Sequence, residues 1–238
     1  MAKSATYDPY AALIQNFAWT SITGWIIVSN VHYTKPVAKP PIFKPYFDVP
    51  AVLSTMRIGK LTDFCKEIAL VAPGGRRQKF LTFMFKNDAP FMEYFYQRAK
   101  VMQQGLVLVP GLVITFTYQP VSEIFLQNQA ASGGNVLGLE ASDGDLTNVE
   151  LNAQWVSSLS DSKVMTALYK LLSEGVQEAK SRGIFNDFIY FNYAEKAQKP
   201  ISSYGSANKA YLQQVSQQYD PNQVFQNAVP GGFKLATS

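Results

Sequence analysis

"LVITFTYQ", residues 112–119, alternates oily and polar side chains along an extended run. Successive side chains of a strand point to opposite faces. Val113, Thr115, Thr117 and Gln119 therefore share one face, and Ile114, Phe116 and Tyr118 the other. "VELNAQWV" (149–156) repeats the pattern, with Glu150, Asn152 and Gln154 opposed to Leu151, Ala153 and Trp155. "FNDFIYFNYAEKAQKPISSYG" (185–205) opens with a third such run, setting Tyr190 and Asn192 against Ile189, Phe191 and Tyr193. Three strands with one oily side predict a sheet covered by helices on that side. The other side carries Thr, Gln, Asn and Tyr, where a solvated face favours Lys and Glu. Uncharged donors and acceptors suit a face that a ligand or partner covers. An ordinary solvated sheet face is the competing reading.

Working outward, "ALIQNFAW" (12–19) and "GWIIVSNVHY" (24–33) read as a hairpin turning before Gly24. "TKPVAKPPIFKPYFDVP" (34–50) holds five prolines and reads as an irregular loop. "LTDFCKEIAL" (61–70) reads as a helix stopped by "APGG". "QKFLTFMFK" (78–86) reads as a strand. "DAPFMEYFYQRAKVMQQG" (88–105) reads as a helix with Asp88 as N-cap, Pro90 in the first turn and Gly105 as terminator. The strand at 112–119 is expected to close at Pro120, and a glycine-rich loop to run over 131–145. "SDSKVMTALYKLLSEGVQEAKSRG" (160–183) is an amphipathic helix with Val164, Leu168, Leu171 and Leu172 along one side. A last helix falls at about 205–219. Strands and helices do not alternate strictly, so the expected fold is one α+β domain over 1–238: a largely antiparallel sheet with helices packed on one face.

The 238 residues are 47% hydrophobic and 16% charged, with a net charge of +4. That composition supports a sizeable core and is far from disordered. The basic residues are scattered, Arg76-Arg77 being the only doublet, which argues against a nucleic-acid partner. The longest apolar stretch, "GLVLVPGLVITF", is about half the length of a membrane helix and carries Pro110 and Gly111. With no signal-type run at the N-terminus and no Asn-x-Ser/Thr acceptor, the expected location is cytoplasmic, away from membranes. The single cysteine and single histidine exclude an internal disulfide and a cysteine-based metal cluster. Cys65 reads as a small core residue of its helix, and His32 as a hydrogen-bonded structural histidine. The "SGGNVLG" loop (132–138) lacks P-loop and dinucleotide spacing and reads as a tight turn. Asp143 and Asp145 also read as a turn, and no metal is expected.

"IYFNYAEKAQKPISSYGSANKAYLQQVSQQYDPNQVFQNAVPGGFKL" closely resembles the C-terminal segment, about 187–235, of berberine-bridge-enzyme-like FAD-linked oxidases of fungal type. The family's Tyr-x-Asn element falls on Tyr190 and Asn192, followed by Tyr193. Further matches are Tyr204, Gly205, Asn208 and Leu212, then Tyr219, Asp220, Pro221 and Phe225. Upstream, "RIGKLTDF", "FLTFMFKND", "TYQP" and "SGGNVLGL" are similar to the family's substrate-binding region. The resemblance implies an α+β domain whose sheet lies over the isoalloxazine ring of FAD and forms a substrate pocket. It implies hydride transfer from an alcohol or amine carbon, with a tyrosinate or carboxylate as base. Tyr190 and Asn192 would then sit near flavin and substrate, Tyr190 as the best candidate for positioning or deprotonating the reacting group, with Tyr193 ranked behind them. Thr115, Thr117, Gln119, Asn152 and Gln154 are pocket-wall candidates from strand parity.

The chain starts at the equivalent of the family's middle, so the FAD-binding domain is expected to be missing, and FAD is not expected to be held by this chain alone. Three functions follow as expectations. The first is the substrate-binding half of an oxidase, as a fragment, the product of an abbreviated gene model, or a subunit that meets its FAD-binding domain in trans. The second is a flavin-free cyclase, isomerase or small-molecule-binding protein. The third is a binding module that self-associates.

Overall fold

The computed structural model describes residues 7–70, 74–127 and 129–237. Six strands form one antiparallel sheet: β1 (Ala11–Thr20), β2 (Gly24–Tyr33), β3 (Arg77–Lys86), β4 (Val113–Val121), β5 (Leu146–Trp155) and β6 (Phe185–Asn186). Their order across the sheet is β2-β1-β4-β5-β3-β6. Helices α1 (Lys44–Phe47), α2 (Leu61–Leu70), α3 (Ala89–Gln104), α4 (Glu123–Gln127), α5 (Asp161–Ser181), α6 (Pro200–Ser203), α7 (Ser206–Tyr219) and α8 (Val224–Asn227) complete the chain. The expected α+β class and helix-backed antiparallel sheet are what the chain adopts.

Local chemistry sets these elements. The hairpin turns where Thr20 Oγ1 accepts from the backbone N–H of Thr23 at 3.0 Å, and Gly24 takes φ +66°. Asp88 caps α3, its carboxylate accepting from Phe91 N at 2.6 Å, and Pro90 occupies the first turn. α3 and α5 lie on the oily face of the sheet and are tied together by Arg98 and Glu174 at 2.9 Å. Gly175 of α5 permits this closeness, because a Cβ there would stand 2.7 Å from the Phe95 ring. The core between them is aromatic. Phe116 stacks on Phe17 with centroids 4.8 Å apart and meets Phe95 edge-on at 5.8 Å.

The sequence reading departs from the structure at several places. β4 runs on through Pro120 to Val121, opposite Leu146. A proline fits because it still offers its carbonyl to a neighbour. The proline-rich loop is not wholly irregular, since Pro41–Phe43 and α1 form two helical turns that bury Phe43 completely. Cys65 is exposed, not a core residue. The reason is that α2 lies on the surface with no buried residue, leaving Leu61 and Leu70 open to solvent. The "APGG" stop of that helix lies partly at residues 71–73, outside the described residues. The third strand, read as continuing beyond 186, ends there.

That early end has a visible cause. The β3–β6 register pairs Met84 with Asn186, so two more residues of strand would put Phe188 opposite Thr82. Instead the Asn186 side chain accepts from Phe188 N at 3.0 Å, a local bond that turns the chain away. The Gln198 amide takes the vacated edge, accepting from Thr82 N at 3.1 Å and donating to Thr82 O at 2.6 Å. Phe188 turns instead into a second apolar cluster with Met84, Leu146, Leu139 and Tyr204. This cluster closes one end of the sheet face opposite α3 and α5.

Gly138 holds the glycine-rich loop against this C-terminal segment. Its φ is +72°, and a Cβ would stand 2.5 Å from the backbone oxygen of Tyr204. Gly138→Ala is expected to lower stability by about 2 kcal/mol or more, from backbone strain and the clash together. Urea denaturation measures it; an unchanged midpoint would show that the loop is not anchored there.

Candidate functional site

The face away from α3 and α5 carries one charged side chain at its centre. Glu150 of β5 stands between Thr117 of β4 and Thr82 of β3 in the ladder. Its neighbours are already engaged. Thr117 Oγ1 donates to Asn16 Oδ1 at 2.8 Å, and Asn16 Nδ2 donates to Asn30 Oδ1 at 2.6 Å. Thr82 Oγ1 donates to Asn148 Oδ1 at 2.8 Å and stands 2.7 Å from Val149 O. Asn152 Nδ2 donates to the backbone of Lys79 at 3.3 Å. Glu150 is left without a hydrogen-bonding or ion-pairing partner among the described residues, and burial alone pushes its carboxyl up from the usual 4.5 to about 7.

Above it sits the turn that replaces the expected strand. Residues Phe191–Tyr193 form a single 3-10 turn. In that geometry positions i and i+3 eclipse, so Tyr190 and Tyr193 come to the same side. Their rings meet edge to face at 4.9 Å, and Tyr193 stacks on Phe80 of the same sheet face at 6.4 Å. Burial, with the charge of nearby Glu150, pushes the Tyr193 phenol up to about 12. Asn192 Nδ2 donates to Tyr190 Oη at 2.8 Å. The expectation that Tyr193 and Phe191 share the core side is therefore corrected: strand parity ends at Asn186. Phe191 is exposed and touches only the rim, edge-on to Phe233 at 5.0 Å. Phe191→Ala is expected to change unfolding free energy by about 1 kcal/mol or less; a loss several times larger would restore it to the core.

The sequence-derived candidates thus fall into groups. Tyr190, Asn192 and Tyr193 gather at one rim. Thr115, Thr117 and Asn152 line the floor around Glu150, Thr115 facing Asn152 across the ladder. Gln119 lies two residues along from Thr117 and lines a separate cleft with His32. Gln154 faces Val113 and Gln78 two positions further along β5 and joins neither group. Glu150 was visible by parity as the one charge on the face, but nothing local signals its burial. Asn16, Phe80 and Thr82 were missed because their strands were not read for faces. Arg76 and Arg77 are occupied, the first by Gly111 O at 2.9 Å and the second by both carboxylate oxygens of Asp161. Among the described residues, no group of three His, Cys, Asp or Glu could hold a metal ion, and no helix is long and apolar enough to cross a membrane.

A helix-backed antiparallel sheet that turns a neutral, hydrogen-bonding face outward is the architecture of the substrate domains of flavin-linked oxidases. Solved structures bear this out. The fold matches 6-hydroxy-D-nicotine oxidase from Arthrobacter nicotinovorans with a TM-score of 0.63, at 11% identity, over 91% of this chain and 46% of that one. It matches berberine-bridge-enzyme-like 1 of Physcomitrella patens with a TM-score of 0.53, at 12% identity, over 94% of this chain and 46% of that one. In sequence, an FAD-dependent monooxygenase of Fusarium proliferatum is 31% identical over 92% of this chain and 43% of its own length. One from Cercospora nicotianae is 32% identical over 99% of this chain and 53% of its own. No family model matches. Over nearly its whole length the chain is similar in sequence to fungal FAD-dependent monooxygenases and similar in fold to berberine-bridge-type oxidases, and it spans about half the length of the curated relatives it matches.

Proposed function

We propose that this chain is the substrate-binding half of an FAD-linked oxidoreductase acting on an alcohol or amine carbon of a small molecule. The observation that carries the reading is Glu150, a half-buried carboxyl with no hydrogen-bonding or ion-pairing partner among the described residues, at the centre of an otherwise neutral face. A group with a pKa near the operating pH is suited to accept and return a proton. Glu150 takes the proton from the hydroxyl or amine of the reacting carbon. Tyr190 and Tyr193 orient that group from the rim, and Asn192 fixes the Tyr190 hydroxyl. The apolar wall of Phe188, Tyr204 and Leu146 keeps water from one side.

The face fits the ring end of FAD: Asn16, Thr117 and Asn152 offer neutral groups, and Phe80 and Tyr193 offer ring surface. Bound flavin supplies the hydride acceptor. The diphosphate end is left to an FAD-binding domain. A flavin-free cyclase or isomerase is the second reading, favoured by the fact that Glu150 and both tyrosines lie within this one chain.

The test is a titration of the purified chain with riboflavin, followed by visible absorption and flavin fluorescence. The expected result is a perturbed, quenched flavin whose response to pH changes in Glu150→Gln. A flavin spectrum unmoved by excess riboflavin would count against a flavin-facing sheet and favour the flavin-free reading.

A further inference from the structure

A cleft of about 180 Å³ lies at the end of β1, β2 and β4, between α4 and the turn at Pro41–Phe43. Its walls are mostly apolar, built by Ala12, Ile14, Ile42 and Phe125, with Gln119 and His32 among them. Ile14 and Gln119 lie two residues from Asn16 and Thr117, so they face the same way as the Glu150 site, roughly 7 Å further along their strands. The cleft is thus a lateral extension of that face and not part of its floor.

The polar groups of the cleft are unequally used. Ser122 Oγ donates to Asp145 at 3.0 Å, and Asp8 accepts from Tyr33 Oη and Tyr10 N, each at 3.0 Å. Gln119 Oε1 is buried and has no hydrogen-bond partner among the described residues. A buried carbonyl without a donor is costly, and a donor delivered by a ligand removes that cost. A charged ligand is disfavoured by the apolar walls, whereas one or two neutral rings fit the volume.

We propose that this cleft is a ligand subsite for a neutral aromatic ring bearing a hydrogen-bond donor of phenol type, which bonds to Gln119 Oε1 while Ile14 and Phe125 pack on the ring. The site stands on the cleft's own chemistry. Only its service as the far end of the Glu150 substrate rests on the function proposed above.

The experiment is an NMR titration of the purified chain, without flavin, with phenol, anisole and toluene. Phenol is expected to bind about 5-fold more tightly than either of the others, the worth of one hydrogen bond. It should shift the Ala12 and Ile14 methyl signals. Gln119→Leu is expected to remove the preference without lowering the melting temperature, since no bond within the chain is lost. Ala12→Phe, at an exposed position, should block all three probes. Equal binding of the three by the wild type, stronger binding of anisole, shifts that survive Ala12→Phe, or a destabilised Gln119→Leu would each overturn the proposal. Because flavin is absent, failure here leaves the riboflavin result standing, and the reverse.

Discussion

Phe116→Ala is expected to lower the unfolding free energy by about 3–5 kcal/mol. Phe116 is fully buried at the centre of β4, stacked on Phe17 with ring planes 4° apart. Trp25, Phe95 and Tyr118 meet it edge-on at 5.9, 5.8 and 5.6 Å. Truncation removes the transferred apolar surface and these ring contacts, and leaves a hole between two strands and α3. Those walls are hydrogen-bonded backbone, so they cannot close in. A domain of this kind has about 5–15 kcal/mol in all, so the variant loses a large share. Urea denaturation at neutral pH gives the number. A loss below about 1 kcal/mol would mean that neighbouring rings refill the space and that the β4 core is loosely packed.

The second large effect is electrostatic. Burial raises Glu150 from the usual 4.5 to about 7, so the folded state holds its proton more tightly than the unfolded chain does. The stability this gives is complete below about pH 4.5 and falls as pH rises through about 7, because the unfolded chain ionises first. Glu150→Gln cannot ionise and escapes the loss. Relative to wild type, the variant is therefore expected to gain stability across that window, reaching about 2–3 kcal/mol above it. Melting curves of both proteins from acid to mildly alkaline pH read the difference directly. A constant difference would show that Glu150 is solvated or paired. Once an assayable substrate is found, the same variant should lose about 10²–10⁴-fold in turnover if Glu150 moves the proton. Gain of stability with loss of activity is the pattern of a carboxyl held for chemistry at the expense of folding.

Much of this was legible in the chain itself. The helices at 61–70, 88–105 and 160–183 and the hairpin at 12–33 were set by near neighbours: the Asp88 cap, the glycine that opens β2, the 3.6-residue stripe of α5. Period-two alternation in β4 and β5 separated Phe116 from Thr117 and Leu151 from Glu150 without any tertiary knowledge. The C-terminal motif pointed to fungal FAD-linked enzymes, and the relatives are fungal FAD-dependent monooxygenases.

The rest depended on residues far apart in sequence. The strand read at 185–193 stops at Asn186 because Gln198, 116 positions beyond Thr82, takes the edge of β3. That exchange moved Tyr193 from the predicted core side to the site and sent Phe191 outward. Surface helix α2 was legible as a helix, but whether its apolar residues found a partner was not written in its sequence. Glu150 carried no mark of its burial, since desolvation is a property of what packs above a strand and not of the strand. Local chemistry thus determined which elements form and which faces they have. The tertiary structure alone decided where a strand ends, which side chains meet across it, and which carboxyl is left half-buried without a partner.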